Sequence, residues 1–320
     1  MNRCFGCFKK IRSKHYCNAC SRRLFDGKIP TLNLKKTDFQ TVRYELIDHF
    51  SISGVQDKIS LKLVRNELQP TSENGEYILK PVPELNVPKL QNDIPANEHL
   101  TMQIARQIFK IKTAENALIT FQDEEFAYIT KRFDRNNKEK LRQEDFCQLT
   151  EKSPESHGKN FKYDGSYEKL GNVIKRFCAA SKIEIEKLFK LILFNYVFGN
   201  GDSHLKNFSL IETQNEDFIL SPAYDLTNTN IHFPNESRMA LEMFDDFESK
   251  FYRNNGFSGK EDFLKLAEFY EIKEKRAIKM IREFPEKKES VNKLIEASFL
   301  SEKAKEKYMI VFHDRLKAIS

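Results

Sequence analysis

The sequence has no apolar run long enough to cross a membrane, since a spanning helix needs ~20 predominantly apolar residues in a row. It also has no internal repeat and no low-complexity linker. Because the chain begins with the polar residues Met1-Asn2-Arg3, we expect no signal peptide ahead of the first cysteines. These absences exclude a membrane-spanning helix and a repeat solenoid. We expect a cytoplasmic protein that makes no membrane contact.

The six cysteines are unevenly placed, and four of them fall in the first 20 residues. Cys4 and Cys7, followed by Cys17 and Cys20, form two Cys-x-x-Cys pairs, a spacing at which four thiolates can hold one Zn²⁺ ion. Disulfides are the competing interpretation, and a reducing cytosol disfavours them. His15 is an alternative to one of the cysteine ligands. The pattern predicts a zinc-knuckle-like segment with a structural Zn²⁺.

The overall composition sets wider limits on the fold. A length of 320 residues suits two lobes and a small appendage, and a hydrophobic content of 40% with 27 phenylalanines allows a large core. The net charge of +6 is mild for this length. It permits binding to acidic surfaces without requiring direct contact with nucleic acid.

Three polar residues have the spacing of a kinase catalytic centre. Asp202 is followed five positions later by Asn207, and Asp225 follows after a strand-like segment. Asp202 can accept the proton of a hydroxyl group, while Asn207 and Asp225 offer the hard oxygen ligands that Mg²⁺ prefers. An ordinary polar turn is the alternative, because Asn-Gly-Asp is also common turn chemistry. The spacing predicts a phosphotransferase.

The segments around this loop have the order expected of the large lobe of a kinase. Residues 185–198 are apolar nearly all round in their second half, which predicts a buried helix ended by Gly199. Residues 208–211 and 218–220 predict a hairpin that leads to Asp225. In the last third, three- and four-residue apolar spacing predicts four helices, at 260–270, 273–284, 287–297 and 301–316. Residues 239–251 contain an aromatic cluster that we interpret as core.

The residues before the loop predict a small nucleotide-binding lobe. Strands are expected at 59–64 and 77–81, and the second carries Lys80. Lys80 would reach nucleotide phosphates, although a solvated lysine on an edge strand is the alternative. A helix predicted at 97–108 begins with Glu98, which can pair with Lys80 or simply favour the helix dipole.

Two further strands, predicted at 117–121 and 126–130, lead out of this lobe to a charged stretch. Phe133 would pack against the adenine and Asp134 would bind the ribose. A charged strand exit with one buried aromatic residue is the alternative interpretation.

Together these segments resemble the HipA family of bacterial serine/threonine kinases, the toxins of HipA/HipB-type toxin–antitoxin systems. The resemblance extends from about residue 50 to about residue 230. The motifs that carry it occur in the family order: Ser53-Gly54-Val55-Gln56-Asp57-Lys58, Ile78-Leu79-Lys80-Pro81, Asn97-Glu98, Lys131-Arg132-Phe133-Asp134-Arg135, Gln143-Glu144-Asp145-Phe146, Gly201-Asp202-Ser203-His204-Leu205-Lys206-Asn207 and Ala223-Tyr224-Asp225.

The resemblance implies an α+β, bilobal protein-kinase-like fold with a small β-rich N-lobe and a mainly helical C-lobe. We expect the knuckle at residues 1–30, the N-lobe at 31–133 and the C-lobe at 134–320. It further implies ATP and Mg²⁺ as cofactors, with the following roles: Asp202 as base, Asn207 and Asp225 as Mg²⁺ ligands, and Lys80, Lys131, Phe133, Asp134, His204, Ser53, Gly54 and Val55 around the nucleotide.

The loop before the first strand departs from eukaryotic kinases, since it has one glycine and no Gly-x-Gly-x-x-Gly. In the HipA family a serine of this segment is autophosphorylated, so the resemblance implies modification of Ser51 or Ser53. A phosphate beside the nucleotide would add ~1.5 to 2 negative charges and oppose its binding. The Ser-Ile-Ser pattern and the short N-terminal region resemble the HipT branch. In the alternative interpretation, the serines merely end a turn.

The same resemblance implies partners and a substrate. We expect a HipB-like DNA-binding antitoxin, through which any DNA contact is made, and a HipS-like small subunit. The implied substrate is an aminoacyl-tRNA synthetase, with the tryptophanyl enzyme first and the glutamyl enzyme second. Two other functions remain open: a phosphotransferase for a lipid or small molecule, and an inactive kinase-like subunit of a regulatory complex.

Overall fold

The computed structural model of the chain describes residues 2–12, 15–46, 57–84, 88–136 and 139–320. Its strands are β1 Asn2–Arg3, β2 Lys10–Ile11, β3 Ile59–Val64, β4 Glu67–Pro70, β5 Tyr77–Lys80, β6 Asn116–Thr120, β7 Phe126–Lys131, β8 Arg135–Asn136, β9 Glu139–Lys140, β10 Gln143–Asp145, β11 Ser209–Glu212 and β12 Phe218–Leu220. Its α-helices are α1 Asn18–Phe25, α2 Phe39–Leu46, α3 Ile94–Gln107, α4 Phe146–Leu149, α5 Pro154–His157, α6 Tyr167–Phe177, α7 Ser181–Val197, α8 Lys250–Asn255, α9 Lys260–Phe269, α10 Glu274–Glu286, α11 Lys288–Ala297 and α12 Glu302–Ile319.

The small lobe is an antiparallel five-stranded sheet with the order β4-β3-β5-β7-β6. Successive side chains of a strand point to opposite faces, so each strand contributes to two hydrophobic clusters. Leu79 and Ile129 lie opposite each other on the face that packs against the N-terminal segment. Tyr128 and Leu118 lie on the other face, in the cluster that includes α3. Lys80 is opposite Tyr128 in the register, so its ammonium is directed towards α3.

The N-terminal segment packs directly on this sheet and shares its hydrophobic core. Cys4 and Phe25 are fully buried in the same cluster as the strand residues. The Tyr16 hydroxyl donates a hydrogen bond of 2.7 Å to the carbonyl of Leu118 in β6. The knuckle is therefore continuous with the sheet core and not an appendage on the surface.

The large lobe is built on the buried helix α7. Helices α6 and α12 pack against it, and Phe198 at its end stacks on Phe312 of α12 with ring centroids 4.9 Å apart. Gly199 follows with φ +66°, a left-handed conformation that ends the helix where it was predicted to end. The predicted α+β, bilobal fold is confirmed.

The two lobes are joined beside the predicted metal site. Thr113 of the small lobe forms an isolated parallel bridge with Ala223, two residues before Asp225. The backbone N–H of Ala114 donates to Ala223, and that of Ala223 donates to Lys112. A three-stranded sheet with the order β10-β11-β12 supports the same region from the large lobe.

The structure differs in detail from several sequence-based predictions. α3 and α7 begin three to four residues before the predicted starts, and α6 was not predicted. Residues 239–251 are largely irregular, with Phe244 buried as expected but Phe247 38% exposed. Within the described ranges, no helix combines the length and apolarity needed to span a bilayer.

Candidate active site

The loop that carries Asp202 depends on two glycines. A Cβ atom on Gly199 would lie 2.6 Å from Val311, and one on Gly201 would lie 2.5 Å from the carbonyl oxygen of Ser237. Side chains at these positions would therefore force the loop away from the large lobe. Asn200, buried between them, donates to the side chain of Asn195 in α7 at 3.0 Å. Asp202 is left exposed at the tip of a loop that is otherwise closely packed.

A tyrosine from a distant part of the chain reaches this aspartate. The Tyr163 hydroxyl donates a hydrogen bond of 2.5 Å to Oδ1 of Asp202. Partial burial and the negative charge of Asp202 both raise the pKa of Tyr163. The Tyr163 ring also meets the ring of His204 edge-on, with centroids 5.3 Å apart. Burial lowers the pKa of His204 to about 4, so this histidine is neutral at neutral pH.

The two predicted metal ligands lie on segments that are tied together. The Tyr224 hydroxyl donates to the carbonyl of Lys206 at 2.8 Å, which links the residue before Asp225 to the residue before Asn207. Oδ1 of Asn207 accepts the backbone N–H of His204 at 3.1 Å, which orients its carboxamide. A carboxamide and a carboxylate supply the hard oxygen donors that suit Mg²⁺. The residues present therefore fit this ion.

Lys80 bridges the two lobes at the centre of the site. Its ammonium lies 2.8 Å from Oε1 of Glu98 in α3, so the predicted pair is present. The same ammonium also contacts Oδ1 of Asp225. The Lys80 side chain is 8% exposed and that of Asp225 is 43% exposed. The bridge therefore runs from a buried helix to a carboxylate that faces the cleft.

The pKa values of these three groups reflect burial and mutual attraction. Burial alone would lower the pKa of Lys80, but the carboxylates of Asp225 and Glu98 hold it above its ordinary value. Partial burial would raise the pKa of Asp225, but the nearby Lys80 ammonium holds it below its usual range instead. For Glu98 burial prevails and raises the pKa to about 7.

Other lysine side chains act electrostatically on this bridge. Lys80 and Lys58 both act electrostatically on Asp225, and Lys206 acts on Lys58. Lys206 lies in the catalytic loop directly before Asn207. Lysine side chains that act on this carboxylate form an environment suited to phosphate oxygens. Lys206 had no predicted role, although its place inside the loop motif was the available signal.

The residues predicted to contact adenine and ribose already contact other side chains of the protein. Phe133 lies near Tyr224, with ring centroids 5.8 Å apart and planes inclined at 32°. Asp134 is buried, and Arg132 donates to both of its carboxylate oxygens, at 2.9 and 2.7 Å. A ribose hydroxyl would have to share this carboxylate with Arg132. The ammonium of Lys131 pairs with Asp26 of the N-terminal segment at 3.0 Å.

The roles of Phe133, Asp134 and Lys131 at the nucleotide therefore remain predictions. The predicted loop residues Ser51, Ser53, Gly54 and Val55 lie outside the described residues.

A second acidic residue, missed in the sequence, lies beneath the catalytic loop. Oε1 of Glu236 accepts a 2.6 Å hydrogen bond from Thr229, whose hydroxyl oxygen accepts the N–H of Gly201 at 2.8 Å. Burial, together with the charge of Asp202, raises the pKa of Glu236 to about 7. No motif surrounds Glu236 or Tyr163, because both reach the loop only through the tertiary fold.

The four N-terminal cysteines also come together. The sulfur atoms of Cys4, Cys7, Cys17 and Cys20 all lie within 4.8 Å of one another. His15, the alternative ligand, packs its ring on Phe5 with centroids 5.0 Å apart. The grouping is the one that the two Cys-x-x-Cys pairs predicted.

A β-rich small lobe whose lysine pairs with a helix glutamate, above a helical lobe that carries Asp202, Asn207 and Asp225, defines a protein-kinase-like fold. A sequence model of the HipA-like C-terminal domain matches residues 50–291. The chain therefore belongs to the HipA-like C-terminal domain family.

Two curated relatives of the chain have kinase names. A Haemophilus influenzae protein named "Putative kinase" is 29% identical over 85% of this chain and 82% of its own length. A Sinorhizobium fredii protein named "Putative kinase Y4dM" is 30% identical over 74% of this chain and 58% of its own length.

Two structural neighbours share the fold at low sequence identity. A chain of the Shewanella oneidensis MR-1 complex of HipA, HipB and operator DNA has a TM-score of 0.64 and 20% identity, over 85% of this chain and 65% of that chain. The Helicobacter pylori proinflammatory kinase CtkA has a TM-score of 0.52 and 17% identity, over 81% of this chain and 93% of that chain.

Proposed function

We propose that the chain is an ATP- and Mg²⁺-dependent protein serine/threonine kinase that acts as the toxin of a HipA/HipB-type system. The observation that carries the proposal is the Lys80 bridge, which brings Glu98 of α3 and Asp225 to one ammonium group. In active kinases this lysine must be paired with the helix glutamate while it holds the phosphates. The names of the curated relatives support the same reaction class.

In the proposed reaction, a serine or threonine hydroxyl attacks the γ-phosphorus of ATP. A new oxygen–phosphorus bond forms, the bond from that phosphorus to the β–γ bridging oxygen breaks, and ADP leaves. Asp202 accepts the hydroxyl proton, while Lys80 and Lys206 hold phosphate oxygens. Asn207 and Asp225 would hold Mg²⁺, which when bound offsets the negative charge on the phosphates.

The proposed biological context is a toxin–antitoxin system. The Shewanella structure is a complex of HipA with HipB and operator DNA, which supports a HipB-like antitoxin as the partner here. The HipT-like features of the sequence support a HipS-like subunit, an aminoacyl-tRNA synthetase as substrate, with the tryptophanyl enzyme first, and autophosphorylation at Ser51 or Ser53. Action in the cytoplasm follows from such a substrate.

The test is transfer of label from γ-labelled ATP with Mg²⁺ to protein, using purified protein and a bacterial lysate. We expect the wild-type chain to label itself and a lysate protein, with the modified residues found by mass spectrometry. Asp202→Asn should abolish transfer while keeping nucleotide binding, and Lys80→Met should weaken binding. Asp246→Asn, a matched change at an exposed aspartate of the large lobe, should behave as wild type.

Two results would replace the proposal. Label on a lipid or metabolite, with none on protein, would indicate a small-molecule phosphotransferase. Absence of nucleotide binding and of transfer in the wild type would indicate an inactive kinase-like subunit.

A further inference from the structure

The cysteine cluster has the geometry of a metal site. Four thiolates at ~2.3 Å from one Zn²⁺ would place their sulfurs about 3.8 Å apart. The sulfurs of Cys7 and Cys17 are 3.8 Å apart, nearly twice the ~2.05 Å of a disulfide. The backbone N–H groups of Gly6 and Cys17 point at the sulfur of Cys4, at 3.4 and 3.2 Å. Donors of this kind orient and stabilise metal-bound thiolates.

The knuckle turns a large aromatic residue inward at a position that favours glycine. Phe8, which follows Cys7, has φ +64°, in the left-handed region that non-glycine residues rarely occupy. Its backbone N–H donates to the carbonyl of Cys4 at 2.9 Å, so this conformation is part of the turn that brings the first two cysteines together. The Phe8 ring is 2% exposed. The fold of the metal-binding turn thus decides where this ring lies.

The Phe8 ring packs on the helix that carries Glu98. Its centroid lies 4.7 Å from that of His99, which is completely buried and directly follows Glu98 in α3. The side chain of Gln107, the last residue of α3, donates to the carbonyl of Cys7 at 3.4 Å. The knuckle therefore contacts α3 near its middle and at its C-terminal end.

The knuckle also contacts the small-lobe sheet and the large lobe. The backbone N–H of Leu118 in β6 donates to the carbonyl of Phe5 at 3.0 Å. The rings of Phe5 and Phe8 approach Phe299, between α11 and α12, at 5.2 and 5.9 Å. A segment with contacts on the sheet, on α3 and on the large lobe is placed to hold all three in one arrangement.

We propose that Cys4, Cys7, Cys17 and Cys20 bind one Zn²⁺ ion, and that the metal-bound knuckle holds α3 where Glu98 pairs with Lys80. The cluster thereby serves as a structural site that supports nucleotide binding from behind α3. The link to nucleotide affinity rests on the proposed kinase function, whereas zinc binding and the support of α3 do not.

The test begins with metal content measured by elemental analysis of protein purified without added zinc. Wild type should carry about one Zn²⁺ per chain, as a four-thiolate site holds. Cys178→Ala, at a buried cysteine of the large lobe, should keep this zinc. Cys4→Ser combined with Cys7→Ser should lose it. Wild-type protein without zinc would overturn the metal site.

The second measurement follows hydrogen exchange of α3, with α6 as the internal reference. Phe8→Ala leaves all four thiols in place, so it should keep zinc but accelerate exchange in α3, as should removal of zinc by a chelator. The same variant should bind a fluorescent ATP analogue roughly fivefold more weakly or worse, the lower end of typical coupling between sites. Phe247→Ala, at an exposed phenylalanine of the large lobe, is the matched control.

The outcomes separate the two proposals. Unchanged α3 exchange, both after zinc removal and in Phe8→Ala, would overturn the coupling. A wild-type chain that binds no nucleotide would contradict the proposed kinase, while zinc content and α3 exchange would still decide this inference.

Discussion

The phenol of Tyr163 donates a 2.5 Å hydrogen bond to the carboxylate of Asp202. Asp202 is the residue that we propose as the base, and a substrate hydroxyl would need the same carboxylate. Tyr163 comes from a short 3₁₀ turn, Phe161–Tyr163, 39 residues before Asp202. In the proposed reaction, a substrate hydroxyl would therefore compete with the Tyr163 hydroxyl for this carboxylate.

Tyr163→Phe removes this competing hydroxyl and keeps the ring that packs on His204. Because a hydrogen bond to a charged group is worth ~1.5–3 kcal/mol when it is present, we expect a roughly tenfold or greater rise in substrate phosphorylation at limiting substrate. Tyr252→Phe, in helix α8, is the control. A fall in rate would instead show that Tyr163 orients Asp202 for catalysis.

Glu236 should make stability depend on pH. Its folded-state pKa of about 7 is above the ordinary value of 4.5, so the folded protein binds its proton more tightly than the unfolded chain does. The stabilisation from this group is fully present below about pH 4.5. It is lost as the pH rises through about 7, and the free energy of unfolding then falls by roughly 1–3 kcal/mol.

Glu236→Gln keeps an acceptor for Thr229 and removes the charge. We expect it to raise the melting temperature by several degrees at about pH 8 and by little at about pH 5, measured by calorimetry. Glu248→Gln, at an exposed glutamate, should show no such trend. An equal effect at both pH values would mean that Glu236 is not protonated in the folded protein near neutral pH.

Asn97 is a buried junction between the lobes, and its loss should be costly. Its amide group donates to the carbonyl of Asn228 at 2.9 Å and contacts a ring nitrogen of His232 at 2.8 Å, while its oxygen accepts the N–H of Asn228. Asn97→Ala leaves these buried groups unsatisfied, so we expect a loss of roughly 2–4 kcal/mol in the free energy of unfolding. Denaturant titration measures it, with Asn254→Ala on exposed surface as the control.

Local sequence patterns predicted much of the fold because the relevant elements are strongly apolar or strongly periodic. The strand at 59–64 was predicted with the bounds that the structure shows, and the buried end of α7 was predicted from its apolar residues. α6 was not predicted, although its apolar residues have helical spacing. The sequence therefore contained the signal for this helix. The start of α3 was missed because Pro95 occupies its first turn, where proline is tolerated.

The residues of the candidate site likewise fall into two groups, those that the sequence predicted and those that it did not. The Asp202 loop and the four cysteines were predicted because each depends on spacing within a short motif. The Lys80–Glu98 pair was predicted from the order of a strand that carries a lysine and a helix that begins with a glutamate. Tyr163 and Glu236 could not be predicted, since they meet the loop only through packing between segments that are far apart in the chain. The double contact of Arg132 with Asp134 was also not foreseen, because sequence does not show which partners a buried carboxylate will choose.

The bridge between Thr113 and Ala223 has a consequence for inhibitor design. Ala223 is bonded to the small lobe on one side of Asp225, and the Tyr224 hydroxyl and the Asn228 N–H hold the same stretch to Lys206 and to α3. A compound that binds by swinging Asp225 out of the cleft would have to break all of these bonds. Compounds that accept Asp225 in place carry no such cost.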